Sequence, residues 1–352
     1  MGARAGARGA VVTATAVVCG IVSLVVPGVA HADPADPAPR SDKRLEEVAK
    51  EVNRLYRKAE AATEAYNQAR GESRKQSKEI VRIARAVVDA QKRMDRLKAQ
   101  AGALARAQYR GGSLPAEAQL LLRSDPEEFF RDAGTVRKSQ QATKGLITSL
   151  SATQRDLDRY AKSANEQWKK LEQNRKRKAD AKKKVKARLA EAKELESQLR
   201  DEELERLREL EREAARKAQA KWIGSGVLDD AGGEASKQGQ KAIAYATRQI
   251  GKDYEWGAEG PRTYDCSGLT SQAWLAAGRG IPRTSQEQWR QLPRVDIEDM
   301  RPGDLIIYHR DASHVGMYVG DGTIVHAPRP GRQVTLAGAG SMEILGVVRP
   351  DK

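Results

Sequence analysis

Cysteine is almost missing from this chain: it has two, Cys19 and Cys266, in 352 residues. That scarcity excludes a disulfide framework and Cys-x-x-Cys zinc spacing. Histidine is also sparse, at His31, His309, His314 and His326. A Cys/His/His metal set would therefore want a fourth ligand that the spacing does not offer. Phenylalanine occurs twice, and aromatic residues make up 5% of the chain, so the basic stretches carry no interleaved rings for base stacking. There is one long apolar run, Gly9 to Val29, and Thr13, Thr15, Ser23 and Pro27 interrupt it. Arg4 and Arg8 precede the run and Ala30-His31-Ala32 follows it, which reads as a cleaved secretory signal over residues 1–32. Asp33 to Pro37 brings no basic stop-transfer flank, which argues against a membrane anchor. Cys19 lies in mid-run, away from a lipoprotein cleavage context. Loss of the signal would remove Cys19 and His31 and leave Cys266 as a lone thiol in an exported protein. Its bland reading is a small buried apolar residue.

What the chain has in plenty is charge on a helical repeat. After a Pro-rich spacer at 33–43, Leu45, Val48, Val52, Leu55, Ala59, Ala62, Tyr66 and Ala69 recur at steps of three and four, a heptad seam. The pattern continues to about Tyr109 and breaks at Gly111 to Pro115. A second helix is expected from about Lys144 through Leu157, Leu171, Val185 and Leu199 to about Trp222. At about 1.5 Å per residue, the two would extend roughly 100 and roughly 120 Å. Residues 44–222 thus predict a long all-α antiparallel coiled coil whose tip, at about 111–142, holds Leu120 to Leu122 and Phe129-Phe130. That tip is either a docking surface or simple closure of the hairpin. The net charge of +15 falls mostly on these helices, because Lys237 to Lys352 carries 15 basic and 13 acidic residues. The basic stretch Arg175 to Arg188 reads as a solvated face or as an attractor of anionic surfaces, and export argues against nucleic acid. Gly224-Ser225-Gly226 and Gly232-Gly233 mark a flexible linker at 223–236.

The remaining residues, 237–352, hold the chemistry. Lys241 to Ile250 is helix-like and ends at Gly251. Asp265 suits an N-cap, which places Cys266 in the first turn of a helix that buries Leu269, Ala273, Leu275 and Ala276. There the helix dipole favours thiolate while Asp265 opposes it, so a base must supply most of the activation. Leu305 to Tyr308 and His314 to Val319 read as strands, and Gly320-Asp321-Gly322 turns the chain into Thr323 to His326. This hairpin predicts His314 and His326 as near cross-strand neighbours, one imidazole facing the thiol and the other orienting it. His309, beside Arg310-Asp311, reads as a surface residue.

The motifs Tyr-x-Trp-Gly from Tyr254, Asp-Cys-Ser-Gly-Leu from Asp265, Pro-Arg-Thr-Ser from Pro282, Arg-Pro-Gly-Asp-Leu from Arg301 and His-Val-Gly-Met-Tyr-Val-Gly from His314 follow in order. In this the C-terminal part resembles the NlpC/P60 cysteine peptidases. The resemblance implies a papain-like α+β domain that cuts peptidoglycan stem peptides with no cofactor or metal. It implies Cys266 as nucleophile, His314 as general base and His326 as the polar third residue. It further implies an oxyanion site from the Cys266 N–H with the Tyr254 hydroxyl nearby, and substrate contacts from Asp265 and Ser267. Asp253 departs from a proline common before the tyrosine. The bond implied is the γ-D-glutamyl-diamino acid link; an N-acetylmuramoyl-L-alanine amidase, a transferase of the same fold and a non-enzymatic coiled-coil docking protein are the alternatives. The whole layout is similar to division-associated wall hydrolases, which implies a secreted, extracellular or wall-associated protein. Its implied partners are an FtsE-FtsX-type membrane complex and anionic wall polymers.

Overall fold

A computed structural model describes residues 39–110, 114–122, 124–228 and 233–351. The expected signal at 1–32 lies outside them, as do residues 33–38 of the expected spacer. Two helices of 72 residues dominate the first part, α1 (Pro39–Arg110) and α3 (Pro126–Ser197), with the short α2 (Ala116–Leu121) between them. Tyr56 meets Glu196, Glu72 meets Arg177 and Gln76 meets Asn174, so the pair runs antiparallel. The seam buries Val52, Leu55, Ala59, Ile83 and Met94 of α1 with Leu171, Val185 and Ala192 of α3. Each large aliphatic side chain removed from water there contributes about 1.5–3 kcal/mol, so the seam rather than helix propensity holds the pair.

The second helix differs from expectation at both ends. It starts at Pro126, well before Lys144, because Asp125 caps it by accepting from the Glu127 N–H at 2.9 Å and proline fits its first turn. Phe129 and Phe130 therefore stand on its opening turns rather than on a separate tip helix. It also stops at Ser197, and a new helix, α4 (Asp201–Ile223), begins with the Arg200 N–H donating to the Glu203 carboxylate at 3.0 Å.

Beyond α4 come α5 (Lys237–Thr247), α6 (Cys266–Ala276) and α7 (Ser285–Gln291), then β1 (Arg294–Val295), β2 (Leu305–Tyr308), β3 (His314–Gly320), β4 (Thr323–His326), β5 (Thr335–Gly338) and β6 (Ile344–Val348). The strands form one antiparallel sheet in the order β1-β6-β2-β3-β4-β5. This is a papain-like α+β arrangement, in which α5 and α6 cover one face. Leu305 and Ile307 of β2 join Leu269, Ala273 and Trp274 of α6 in that core. Ile306 and Tyr308 point the other way and join Tyr318, Ile324 and Val347. Both faces of β2 are buried, which accounts for its uninterrupted apolar run.

The second face is closed by α4. Trp222 packs on that core, and Gly340 lies so close beneath it that any Cβ would collide with the indole. Gln219 donates to the Gly322 carbonyl at 3.0 Å and accepts from the Gly340 N–H at 2.6 Å. Of the segment expected as a linker, Leu228 lies over Gly322, residues 229–232 are outside the described ones, and Ser236 caps α5.

Candidate active site

Asp265 is the N-cap of α6, its Oδ1 accepting from the Gly268 N–H at 2.6 Å. Cys266 is thereby the first residue of the helix. Gly268 is required for close approach: a Cβ there would run into the Ala258 carbonyl. The thiol is 1% exposed. Burial pushes it well above its ordinary pKa, and the carboxyls of Glu64, Asp265 and Glu60 push further the same way.

His314 opens β3 and His326 closes β4, and the hairpin brings His314 Nε2 to 2.9 Å from His326 Nδ1. With Nε2 engaged, His314 Nδ1 is the ring atom left for the chamber, and it has no hydrogen-bond partner. Burial pushes the imidazole down to about 4 and holds His326 low as well. A thiol at a helix start and an imidazole oriented by a second polar group are the parts of a nucleophilic acyl-transfer site. Burial thus favours the neutral form of both the thiol and the imidazole.

Around Asp265 lies a polar network. Arg283 clamps it through two N–H groups at 3.0 and 2.7 Å and donates to Ser267 Oγ at 2.8 Å. The Gly257 N–H donates to Asp265 Oδ2 at 2.9 Å. Gln288, fully buried on α7, ties Thr270 to the Pro282 carbonyl. Tyr254 sits in the same apolar cluster as Cys266, and burial with the adjacent thiol raises its phenol, keeping it a hydroxyl donor. His309, expected on the surface, is instead partly buried with its Nδ1 unpartnered, and it adopts a left-handed backbone at φ 64° beside Glu60.

The chamber is roofed by α1. Glu64 Oε1 accepts from the Ser267 hydroxyl at 2.6 Å and lies 3.8 Å from Cys266 Sγ, while Oε2 accepts from the Ser285 N–H at 3.0 Å. One turn earlier, Glu60 Oε1 lies 3.5 Å from His314 Nδ1. One turn later, Asn67 donates to Asp265 Oδ2 at 3.0 Å. Tyr66 stacks edge-on against Trp256 at 5.1 Å, and Arg70 donates to the Gly257 carbonyl at 3.0 Å. Burial pushes Glu60 up to about 8, and burial with Asp265 pushes Glu64 upward too. Cys266, His314, His326, Tyr254, Asp265 and Ser267 thus share one chamber with Arg283 and Ser285 of the Pro-Arg-Thr-Ser motif, and with Glu60, Glu64 and Asn67 of α1, which the sequence reading did not single out. One signal for the glutamates was available: Glu60 and Glu64 are like charges at i,i+4, a pairing that costs an isolated helix stability.

Residues 251–342 match the model of the NlpC/P60 family. A probable endopeptidase of Corynebacterium glutamicum is 42% identical over 118 residues, 34% of this chain and 56% of the relative. The probable endopeptidase p60 of Listeria monocytogenes is 44% identical over 87 residues, 24% of this chain and 18% of the relative. Among solved structures, the NlpC/p60 domain of peptidoglycan hydrolase SagA is 29% identical with a TM-score of 0.30, covering 32% of this chain and 97% of that one. The chain therefore spans about half or less of the length of these curated relatives.

Proposed function

We propose, from the premise that residues 251–342 are an NlpC/P60 domain, that the protein is a secreted peptidoglycan hydrolase, a cysteine endopeptidase of stem peptides held in check by its own helices. The observation that carries this reading is Cys266 on the first turn of α6, in one buried chamber with the His314–His326 pair. In the open enzyme His314 takes the thiol proton and the thiolate attacks the scissile carbonyl. The oxyanion is held by the Cys266 N–H and the Tyr254 hydroxyl. The C–N bond breaks as the imidazolium gives its proton to the leaving amine, and water, deprotonated by His314, hydrolyses the thioester. His326 orients the ring throughout. No step calls for a metal or cofactor. Asp265 and Ser267 receive the substrate's N-terminal side, and the bond cut is that between γ-D-glutamyl and the diamino acid.

The glutamates of α1 support a regulatory role for the hairpin, since substrate and α1 compete for one space. The exposed apolar side chains at its far end, Leu121, Leu122 and Phe130, suit docking on an FtsE-FtsX-type membrane complex. The basic stretch of α3 suits anionic wall polymers. No helix among the described residues is long and apolar enough to cross a membrane. Mass spectrometry of purified peptidoglycan digested by a full-length variant with α1 displaced tests the chemistry. New stem-peptide ends at D-Glu support the reading; unsubstituted glycan strands point instead to the amidase.

A further inference from the structure

Glu60 is a buried carboxyl that the hydrolysis does not use, and its surroundings make it unlike Glu64. The Glu64 carboxyl is met by two donors, the Ser267 hydroxyl and the Ser285 N–H, with Arg283 close by. Glu60, 7% exposed, has His314 Nδ1 at 3.5 Å as its nearest ion-pair candidate. The charged and titratable groups facing it come from every element around it: Arg57 on its own helix, His309 and Asp311 between β2 and β3, His314 on β3, Arg329 after β4, and Tyr254 and Cys266 beneath. Arg329 is already committed, donating to Glu211 at 2.9 Å and covering the Tyr56 ring at 4.0 Å. Arg283 is committed to Asp265. A carboxylate carried into this chamber with α1 would be an uncompensated charge in a space closed to water, which is costly. A carboxylic acid would not be, and it faces an imidazole nitrogen that lacks a partner.

We propose that closing of α1 over the site takes up a proton on the Glu60–His314 pair, so that loss of this proton opens the site. Between the ordinary imidazole range and the raised value of Glu60, the closed pair holds one proton more than the open enzyme, where Glu60 is a solvated carboxylate and His314 a neutral imidazole. At lower pH the open His314 is protonated too, and closing only moves that proton to Glu60. Because burial raises Glu60 to about 8 and lowers His314 to about 4 when closed, the two shifts offset each other below the ordinary imidazole range, while from there upward closure weakens as pH rises and has lost its proton-linked advantage by about 8. Opening is then promoted about tenfold per pH unit across that window. The proposal rests on the regulatory part of the reading above, not on the bond cut.

The test is alkylation of Cys266 by iodoacetamide in the full chain, wild type against Glu60→Gln and Glu60→Leu, from pH 5 to 9. Taking the ratio of wild-type to variant rates cancels the titration of the thiol itself. The expected ratio rises at least tenfold between pH 6 and 8 and then levels off, with both variants. A ratio independent of pH overturns the proposal, as do variants that are alkylated faster than wild type at every pH. Peptidoglycan is absent from this assay, so failure to cut the wall would sink the functional reading and leave the proton linkage standing.

Discussion

Two helices of one chain meet the same C-terminal domain in opposite ways. On the back of the sheet, α4 presents Trp222 and Gln219 to a surface shaped for them, with Gly340 cleared to admit the indole. On the front, α1 presents Glu60 to His314, Glu64 to Ser267 and Cys266, and Asn67 to Asp265. The back contact is mainly apolar and stabilises whenever water is present. At the front, each buried acid loses hydration that only part of its hydrogen bonding restores, so the net gain is small and condition-dependent. A contact of the first kind anchors; a contact of the second kind can be reversed.

The largest effect that separates the two sides is chemical. Cys266→Ala, placed in a background with α1 displaced, is expected to lower peptidoglycan hydrolysis by about 10⁴-fold or more while leaving the melting temperature nearly unchanged. Equal loss in a variant of the back face would break the distinction. Trp222→Ala on α4 comes next, with a cost of about 3 kcal/mol in denaturant unfolding, because it removes the indole that covers Gly340 and packs on the second core. If that variant unfolds like wild type, the back contact is not an anchor. Asn67→Ala removes one donor from Asp265 and leaves its other partners in place. It is expected to weaken closure by about 1 kcal/mol and to speed alkylation of Cys266 about fivefold at neutral pH. The smallest effect belongs to the far tip: Leu122→Ser, at a side chain 74% exposed, is expected to move stability by less than about 0.5 kcal/mol. A larger shift would mean that the tip is packed rather than available to a partner.

These contrasts also mark what can be read from residues alone. The cluster around Cys266 was legible because its geometry is local: Asp265 caps the helix that starts at Cys266, and a glycine turn brings His326 Nδ1 to 2.9 Å from His314 Nε2. The long hairpin was legible because heptad spacing is periodic, and Val52, Leu55 and Ala59 are indeed in the seam. The start of α3 lies ahead of where its apolar spacing begins, because Asp125-Pro126-Glu127-Glu128 opens the helix through a cap and a first-turn proline, which leave no mark on periodicity. The roof over the site was missed for a deeper reason. Glu60, Glu64 and Asn67 lie beside the heptad seam, and on a helix that position normally faces water. Periodicity tells which face is apolar; it carries no information about a distant segment, some 200 residues on, that covers the polar face. The break at Ser197–Asp201, which frees α4 to cross onto the sheet, leaves an equally faint trace.

The central claim is that the helices restrain the thiol by filling its chamber. Its most direct measurement is turnover of purified peptidoglycan at neutral pH by the full-length protein and by Glu64→Lys, which would set an ammonium beside Arg283 with no carboxylate of its own. Removing one partner from such a buried arrangement typically costs about 3–5 kcal/mol, so closure fails and turnover is expected to rise at least tenfold, with Cys266→Ala abolishing the gain. Equal turnover by wild type and Glu64→Lys, with both folded, would contradict the account.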